Sequence, residues 1–367
     1  MQMPLNTPAN TTPTNTILQG DCIEILKSLD NESIDLIFAD PPYFMQTSGE
    51  LLRVEGSAFS GCDDTWDKFE SLKDYDKFSE AWLKECHRVL KKSGSIWVIG
   101  SFHNIYRLGY IMQNLGFWVL NDIVWAKSNP VPNFRGNRFC NAHESLLWCA
   151  KDKNAKYTFN YKSMKAYNND KQMRSIWEIG ICIGNERLKD KDGKKAHSTQ
   201  KPEALLERVI LSSSKEGDLV LDPFFGSGTT GAVAKRFGRN FLGIEREKSY
   251  IELAKKRIDS VKFTPDAISS GELESKPPKV SLQELINAKF LELGELFYDK
   301  KAEPICKLLE SNKVQDIKDN EILSIHKMAA KTLGKTNHNG WGYFYVMRGG
   351  ELRALDSLRQ EKRAQIS

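Results

Sequence analysis

Two short segments of this 367-residue chain carry side chains whose types and spacing suit chemistry, and they stand almost two hundred residues apart. The first is Asp40-Pro41-Pro42-Tyr43. An exocyclic aromatic amine is a poor nucleophile because its lone pair is delocalised into the ring. Hydrogen-bond acceptors must draw the nitrogen towards tetrahedral geometry before it can be alkylated. The Asp40 carboxylate and the Pro41 carbonyl can each take one N–H, leaving the lone pair aimed at an in-line electrophile. Consecutive prolines keep the backbone out of a helix and turn that carbonyl outward. Tyr43, with Phe44 beside it, offers a flat face for a base swung out of a duplex. No metal is required. Taken alone, Asp-Pro-Pro also fits an ordinary turn after a strand, with Asp40 a surface carboxylate.

The second segment, residues 218–230 (DLVLDPFFGSGTT), reads as a strand, a glycine turn and a helix start. Gly226 and Gly228 let backbone come close to a ligand and aim amides at it, with Asp222, Phe224 and Thr229 alongside. We read the turn as distinct from the G-x-G-x-x-G/A dinucleotide fingerprint, because no third glycine or alanine precedes Gly231. A zwitterionic amino-acid group is then the better ligand, and a nicotinamide oxidoreductase the poorer reading. Glu245 closes the next strand about twenty residues on, where a carboxylate can accept from both ribose hydroxyls. Together these point to an adenosyl cofactor, although a lone glycine turn mostly serves packing. Asp21, in Gln19-Gly20-Asp21-Cys22, can accept from an adenine amine or cap the helix over 22–29.

The elements that position these groups alternate. Residues 16–19 and 33–39 (SIDLIFA) read as buried strands, the second ending at Asp40. A helix over 78–90, stopped by Lys91, Lys92 and Gly94, leads to a strand at 95–100. A helix over 105–115, closed by Gly116, precedes a strand at 118–125. After a break the alternation resumes with helices at 202–213, 229–237 and 248–261 and strands at 218–222 and 240–245. This predicts an α/β fold, a doubly wound, mostly parallel sheet of Rossmann-like kind. Residues 16–127 and 197–263 make one domain, split by a target-recognition insertion at 128–196. Residues 1–15 read as a disordered tail and 264–281 as a linker. Residues 282–367 read as a C-terminal module beginning with helices.

Charge supports the insertion's role. The net charge is +5, yet residues 128–201 hold fifteen Lys and Arg against seven Asp and Glu, so the excess sits in the middle. Interleaved aromatic residues suit a polyanion with stackable bases, although a solvated lysine-rich loop has the same composition. Asn133, Arg135, Arg138 and Asn141 are residue types that read base edges or hold phosphates. His143 and Glu144 can do the same or shape the loop from within. Seven scattered cysteines with no Cys-x-x-Cys pair suggest neither a disulfide framework nor a zinc site, and read as cytoplasmic thiols. The amino-terminal residues lack the basic start and apolar run of a signal peptide, and no segment reads as a membrane span.

The order Asp40-Pro41-Pro42-Tyr43, basic insertion, His197-Ser198-Thr199-Gln200-Lys201-Pro202, then Phe224-Phe225-Gly226-Ser227-Gly228 resembles the β-class amino methyltransferases of DNA. The resemblance implies S-adenosyl-L-methionine as cofactor and a role for Thr199 or Lys201 beside its methionine end. Ser101-Phe102-His103-Asn104-Ile105, residues 115–125 and residues 129–136 are similar to the cell-cycle-regulated methyltransferases and their restriction-modification relatives that act at GANTC. That implies adenine N6 in double-stranded DNA, a homodimer on a twofold-symmetric site, and in some relatives a restriction endonuclease partner. Asn339-Gly340-Trp341 and residues 350–359 are similar to that subfamily's C-terminal DNA-binding module, which makes Trp341 a candidate DNA contact. The match loosens at 151–195 and at Gly342-Tyr343-Phe344, which bears on the target sequence more than on the reaction. Cytosine N4 methylation needs the same geometry, with aspartate at position 40 favouring adenine by resemblance. A DNA-binding regulator that keeps the fold without catalysis is the reading from another class.

Overall fold

The computed structural model describes residues 12–44, 51–52, 58–59, 67–133, 136–189, 193, 196, 199–266, 268–270, 273 and 278–366. The chain divides into two compact units, Met1–Glu274 and Ser275–Ser367. In chain order the first runs β1 (Thr16–Gln19), α1 (Cys22–Ser28), β2 (Ile34–Ala39), the short pair β3 (Leu51–Leu52) and β4 (Ala58–Phe59), α2 (Leu72–Val89), β5 (Leu90–Gly100) and α3 (Ile105–Asn114). There follow β6 (Trp118–Lys127), β7 (His143–Ala150), α4 (Tyr161–Tyr167), β8 (Ile176–Ile179), α5 (Glu203–Ser213), β9 (Leu219–Asp222), α6 (Thr229–Arg236), β10 (Asn240–Glu245) and α7 (Lys248–Ser260).

Eight of these strands form one sheet in the order β1-β10-β9-β2-β5-β7-β6-β8. Every pair from β1 to β5 is parallel, as is β6 with β8, while β7 runs antiparallel to both neighbours. The central strands are apolar on both faces because helices cover both. On β2 and β5, Leu36, Phe38, Trp97 and Ile99 join one core with α5 and α6. Ile37, Ala39, Ile96 and Val98 join the other with α1, α2 and α3. The period-2 alternation thus divides one apolar run between two cores. Trp97 stacks on Trp148 at 5.1 Å and donates its indole N–H to the Ser213 hydroxyl at 2.9 Å.

Several boundaries differ from expectation. Helix α2 starts at Leu72, where the Ser71 hydroxyl caps the Asp74 amide. The residues read as its stop signals lie inside β5, which begins directly at Leu90; Lys91 pairs there with Asp35 of β2 at 2.8 Å. The insertion is not wholly outside the sheet: β7 lies within it, and Leu146, Trp148 and Ala150 are buried. Of the expected tail, residues 1–11 lie outside the described residues. Residues 12–15 are tied down, with the Asn15 amide on the Phe241 carbonyl at 2.6 Å. Part of the expected linker is also anchored. The buried Arg239 guanidinium needs acceptors and finds them in the carbonyls of Phe237, Ser214 and Ser269.

The second unit opens with one short helix, α8 (Leu282–Asn287), closed by a Ser281/Glu284 capping box. Among the described residues, the rest combines a six-stranded sheet with three helices. Strands β11 (Leu296–Tyr298), β12 (Pro304–Leu308), β13 (Lys313–Asp316), β14 (Ile322–Ser324), β15 (Tyr345–Arg348) and β16 (Glu351–Ala354) pair antiparallel in the order β14-β13-β12-β11-β15-β16. Helices α9 (Ile325–Thr332), α10 (Gly340–Tyr343) and α11 (Leu355–Ile366) complete it, over a core of its own that contains Phe297, Met328 and Phe344. Among the described residues, no helix is long and apolar enough to cross a membrane.

Candidate active site

The carboxyl ends of β1, β2, β9 and β10 open on one cavity of about 330 Å³, whose lining includes Asp21, Asp40, Pro42, Phe69, Thr199, Phe224, Gly226 and Glu245. Parallel α/β sheets place their ligand sites at this edge. Asp40 leaves β2 directly into the cavity, and Pro42, Tyr43 and Phe44 beyond it are fixed from behind. The Pro42 carbonyl accepts the Tyr75 hydroxyl at 2.8 Å and the Asn104 amide at 3.3 Å. Asp67 accepts the backbone amides of Tyr43 (2.6 Å) and Phe44 (2.7 Å). Phe44 takes a left-handed φ of 52° and stacks on Tyr75, ring centroids 6.0 Å apart. Among the described residues no donor is bonded to the Pro41 carbonyl. The segment therefore turns one carbonyl inward and leaves the preceding one available.

Around Asp40 the side chains form a buried polar cluster. Lys201 donates to both Asp40 oxygens, at 2.9 and 2.7 Å, and its ammonium lies 4.0 Å from Glu144 and 5.2 Å from the centre of the Tyr43 ring. Glu144 accepts the Tyr43 hydroxyl at 2.8 Å and Lys127 at 2.6 Å. Burial raises the Asp40 carboxyl above its ordinary value despite the Lys201 charge, and Glu144 adds to the rise. Burial acts on Glu144 in the same sense, but Lys201 and Lys127 outweigh it and hold that carboxyl below the usual range. Burial likewise works against the Lys201 ammonium, which Asp40 and Glu144 nevertheless hold above its ordinary value. Lys201 sits just before α5, in a segment pinned by Gln200, whose carboxamide bonds the Leu188 amide (3.0 Å) and the Glu186 carbonyl (2.9 Å).

The other half of the site is a backbone cradle. Asp222 ends β9 only 3% exposed; its two oxygens accept the Phe224 amide (3.0 Å) and the Thr230 hydroxyl (2.5 Å), and burial raises its carboxyl to about 7. Gly226 and Gly228 have φ of 51° and 73°, and a Cβ on Gly228 would meet Ala254 at 2.7 Å, so the turn admits only glycine there. Glu245 reaches across from β10, taking the Gly226 amide on one oxygen and the Arg246 and Glu247 amides on the other, all at 2.8 Å. Phe224 lines the cavity with its ring edge-on to Trp82. Asp21 both lines the cavity and caps α1. Its two cap bonds, to the Ile23 and Glu24 amides, fall on the same oxygen.

Four expectations change. Lys201 lies on Asp40 rather than in the cofactor cradle, because a buried ammonium takes the nearest carboxylates. Asp222 and Thr229 face inward, holding the turn instead of lining the cavity; the Thr229 hydroxyl accepts Arg257 at 2.8 Å. Gly226, Gly228 and Gly231 do complete a G-x-G-x-x-G spacing, so counting glycines does not separate amino-acid from pyrophosphate sites. Here Gly231 serves packing, since a Cβ there would lie 2.6 Å from Phe225. Trp341 is 7% exposed in the core of the second unit with the Arg359 guanidinium 4.5 Å over its ring, so it presents no open face to DNA.

Of the remaining candidates, Thr199 lines the cavity. Arg135, with His197 and Ser198 of the Gln200-Lys201-Pro202 motif, lies outside the described residues. Asn133 bonds the Arg138 carbonyl at 2.8 Å, which closes the loop between them. Arg138 and Asn137 are exposed and Asn141 is half-buried. The Arg138 guanidinium stands 5.4 Å from the ring of Phe102. Sequence reasoning passed over Lys127, Asp67 and Tyr75. No local signal marks Asp67, but Lys127 ends an alternating strand beside the insertion, a position from which a cation can reach the site.

Comparison with known proteins gives this arrangement a context. A family described as DNA methylase matches residues 34–256. The chain is 62% identical over 347 residues, 95% of its length and 96% of the relative's, to the type II methyltransferase M.HinfI of Haemophilus influenzae. It is 43% identical over 244 residues, 66% of this chain and 88% of the relative, to the type II methyltransferase M2.LlaDCHI of Lactococcus lactis subsp. cremoris. Among solved structures, the M1.HpyAVI-SAM complex superimposes with a TM-score of 0.50 at 30% identity, covering 66% of this chain and 98% of that one. With its parallel sheet, its Asp40 site and its glycine cradle, this chain belongs to the DNA methylase family.

Proposed function

We propose that this protein is a site-specific type II DNA methyltransferase that moves a methyl group from S-adenosyl-L-methionine to N6 of adenine in double-stranded DNA, at GANTC. The cavity suits a cationic adenosyl amino acid: carboxylates of Asp21 and Glu245 stand on its wall beside Phe224, and Gly226 of the glycine turn lines it. That cofactor supplies an electrophilic methyl group when bound. All other requirements fall on the chain. The single observation that carries the reading is the arrangement at the exit of β2: the Asp40 carboxylate opens on the cavity and the Pro42 carbonyl is tied inward, while among the described residues none donates to that of Pro41. Those two acceptors take the two amine N–H groups, Tyr43 gives the base a flat neighbour, and the nitrogen lone pair is left for the methyl carbon. The S–C electron pair would stay with the departing sulfur, and the methylated nitrogen would pass its extra proton to the Asp40 carboxylate and from there to solvent.

Aspartate at position 40 and the stretches similar to GANTC enzymes support adenine over cytosine N4. The loop with Asn133, Arg135 and Arg138, together with Asn141, is assigned to the DNA, the exposed Arg138–Phe102 pair to its surface, and the second unit to DNA binding as a module. A twofold-symmetric target suits a homodimer. Methylating duplex DNA, digesting it to nucleosides and identifying the modified base tests the proposal. N6-methyladenine confined to GANTC is the expected product. N4-methylcytosine would assign the same machinery to the other amine.

A further inference from the structure

We propose that Glu144 is a positioning residue for methyl transfer: it fixes the Tyr43 ring and offers the Lys201 ammonium a second carboxylate, so that Asp40 can release the lysine and receive the amine. This rests on the reading of Asp40 as the amine's acceptor. Both oxygens of Asp40 are engaged by Lys201 at 2.7 and 2.9 Å, whereas the amine needs one of them. Stripping a buried ammonium of its carboxylate with nothing in exchange is costly. Glu144 removes that obstacle, because its carboxylate already lies 4.0 Å from the same nitrogen. A small shift of a flexible side chain moves the charge from one partner to the other without exposing it to water.

The cluster is built to make this exchange even-handed. Asp40 and Glu144 bring two negative charges, Lys201 and Lys127 two positive ones, so either pairing leaves it balanced. Glu144 is itself held in place: its side chain is 11% exposed, Lys127 is bonded at 2.6 Å, and the Tyr43 hydroxyl at 2.8 Å. The supports are strands rather than loops, with Glu144 on β7 opposite Trp125 of β6 and Lys127 two residues further along β6. The Tyr43 ring is thereby clamped through its hydroxyl while its backbone is held by Asp67. A structural ion cluster alone would not require that the lysine nearest the catalytic carboxylate be shared.

The experiment uses full-length protein, S-adenosylmethionine and a duplex with one GANTC site, following single-turnover methyl transfer against pH for wild type, E144Q and E144D. Glutamine keeps the shape, but Tyr43 and Lys127 bond different oxygens of Glu144 and glutamine has only one, which can stay on Lys127 while its NH2 group turns to the Tyr43 oxygen; it gives Lys201 no charge to move to. The E144Q rate should fall about ten- to a hundredfold at the plateau, with cofactor and DNA dissociation constants unchanged. Its acid limb should move to lower pH, because the titratable groups facing Asp40 are Lys201, Glu144, the neutral Tyr43 phenol and, through the cradle, Asp222, and E144Q removes one negative neighbour. E144D keeps the charge and should restore the limb to its wild-type position. A wild-type rate in E144Q, an unmoved limb, or a rate loss that merely tracks lost binding or stability overturns the proposal. D40A is run alongside: if it still transfers methyl, the reading of Asp40 fails whatever E144Q does.

Discussion

Asp40-Pro41 leaves β2 and Asp222-Pro223 leaves β9, and the two strands are parallel neighbours, so the same dipeptide stands twice along one edge of the sheet. Their surroundings differ. Asp222 is sealed in, bonded to an amide and a hydroxyl of its own turn, with no cation among those partners. Asp40 opens on the cavity and meets a lysine from a segment 161 residues away. One carboxylate shapes backbone; the other, on our reading, faces a ligand. The contrast shows that a residue's chemistry at a strand exit is set by which partners reach it, and only long-range packing decides that.

Removing each carboxylate should therefore break different things. D40A should lower methyl transfer about 10²- to 10³-fold or more, the scale for one oriented acceptor in a catalytic site, while calorimetric cofactor binding stays near wild type. D222A should do the reverse at first. It strands the Phe224 amide and the Thr230 hydroxyl, so unfolding free energy should drop by about 1–3 kcal/mol and cofactor affinity should weaken as the turn loosens. If D222A instead abolished transfer with the fold and cofactor binding intact, the division of labour would be wrong.

The contrast sharpens with pH. In the folded protein the Asp222 carboxyl titrates at about 7, against an ordinary 3.8. Between those values the native state holds a proton that the unfolded chain has released, so stability from this group falls as pH rises from about 4 to 7 and stays low above it. D222N has no such charge to bury. Its melting temperature should gain on wild type between pH 5 and pH 8, and parallel curves would show that Asp222 does not titrate there. The smallest effect is expected for Y43F, which keeps the ring but loses the bond to Glu144. About a tenfold fall in transfer rate, without weaker cofactor binding, is the outcome expected from one hydrogen bond to a charged group.

Local chemistry made part of this legible in sequence. Asp-Pro-Pro-Tyr after an apolar run, the glycine turn and Glu245 at the next strand end each declare themselves within a few residues, and Asp40, Pro42, Phe224, Gly226 and Glu245 from them line one cavity. The β2, β9 and β10 strands were readable for the same reason. Partners distant along the chain were not: nothing near Lys201 announces Asp40, and nothing near Glu144 announces Tyr43. Strand β7 was hidden because Pro- and Asn-rich flanks mask a short alternation, and the start of β5 because two lysines and a glycine also end helices. Trp341 was a candidate through resemblance alone, and resemblance does not show that its ring packs into the core of its unit.

Labelled methyl transfer decides whether Asp40 presents an adenine amine to a methyl donor. A duplex with one GANTC site is incubated with methyl-labelled S-adenosylmethionine and either wild type or D40A, then digested to nucleosides. Label should appear in N6-methyldeoxyadenosine with wild type and only at background with D40A, at matched DNA and cofactor binding. Label in N4-methyldeoxycytidine, or undiminished labelling by D40A, would contradict it.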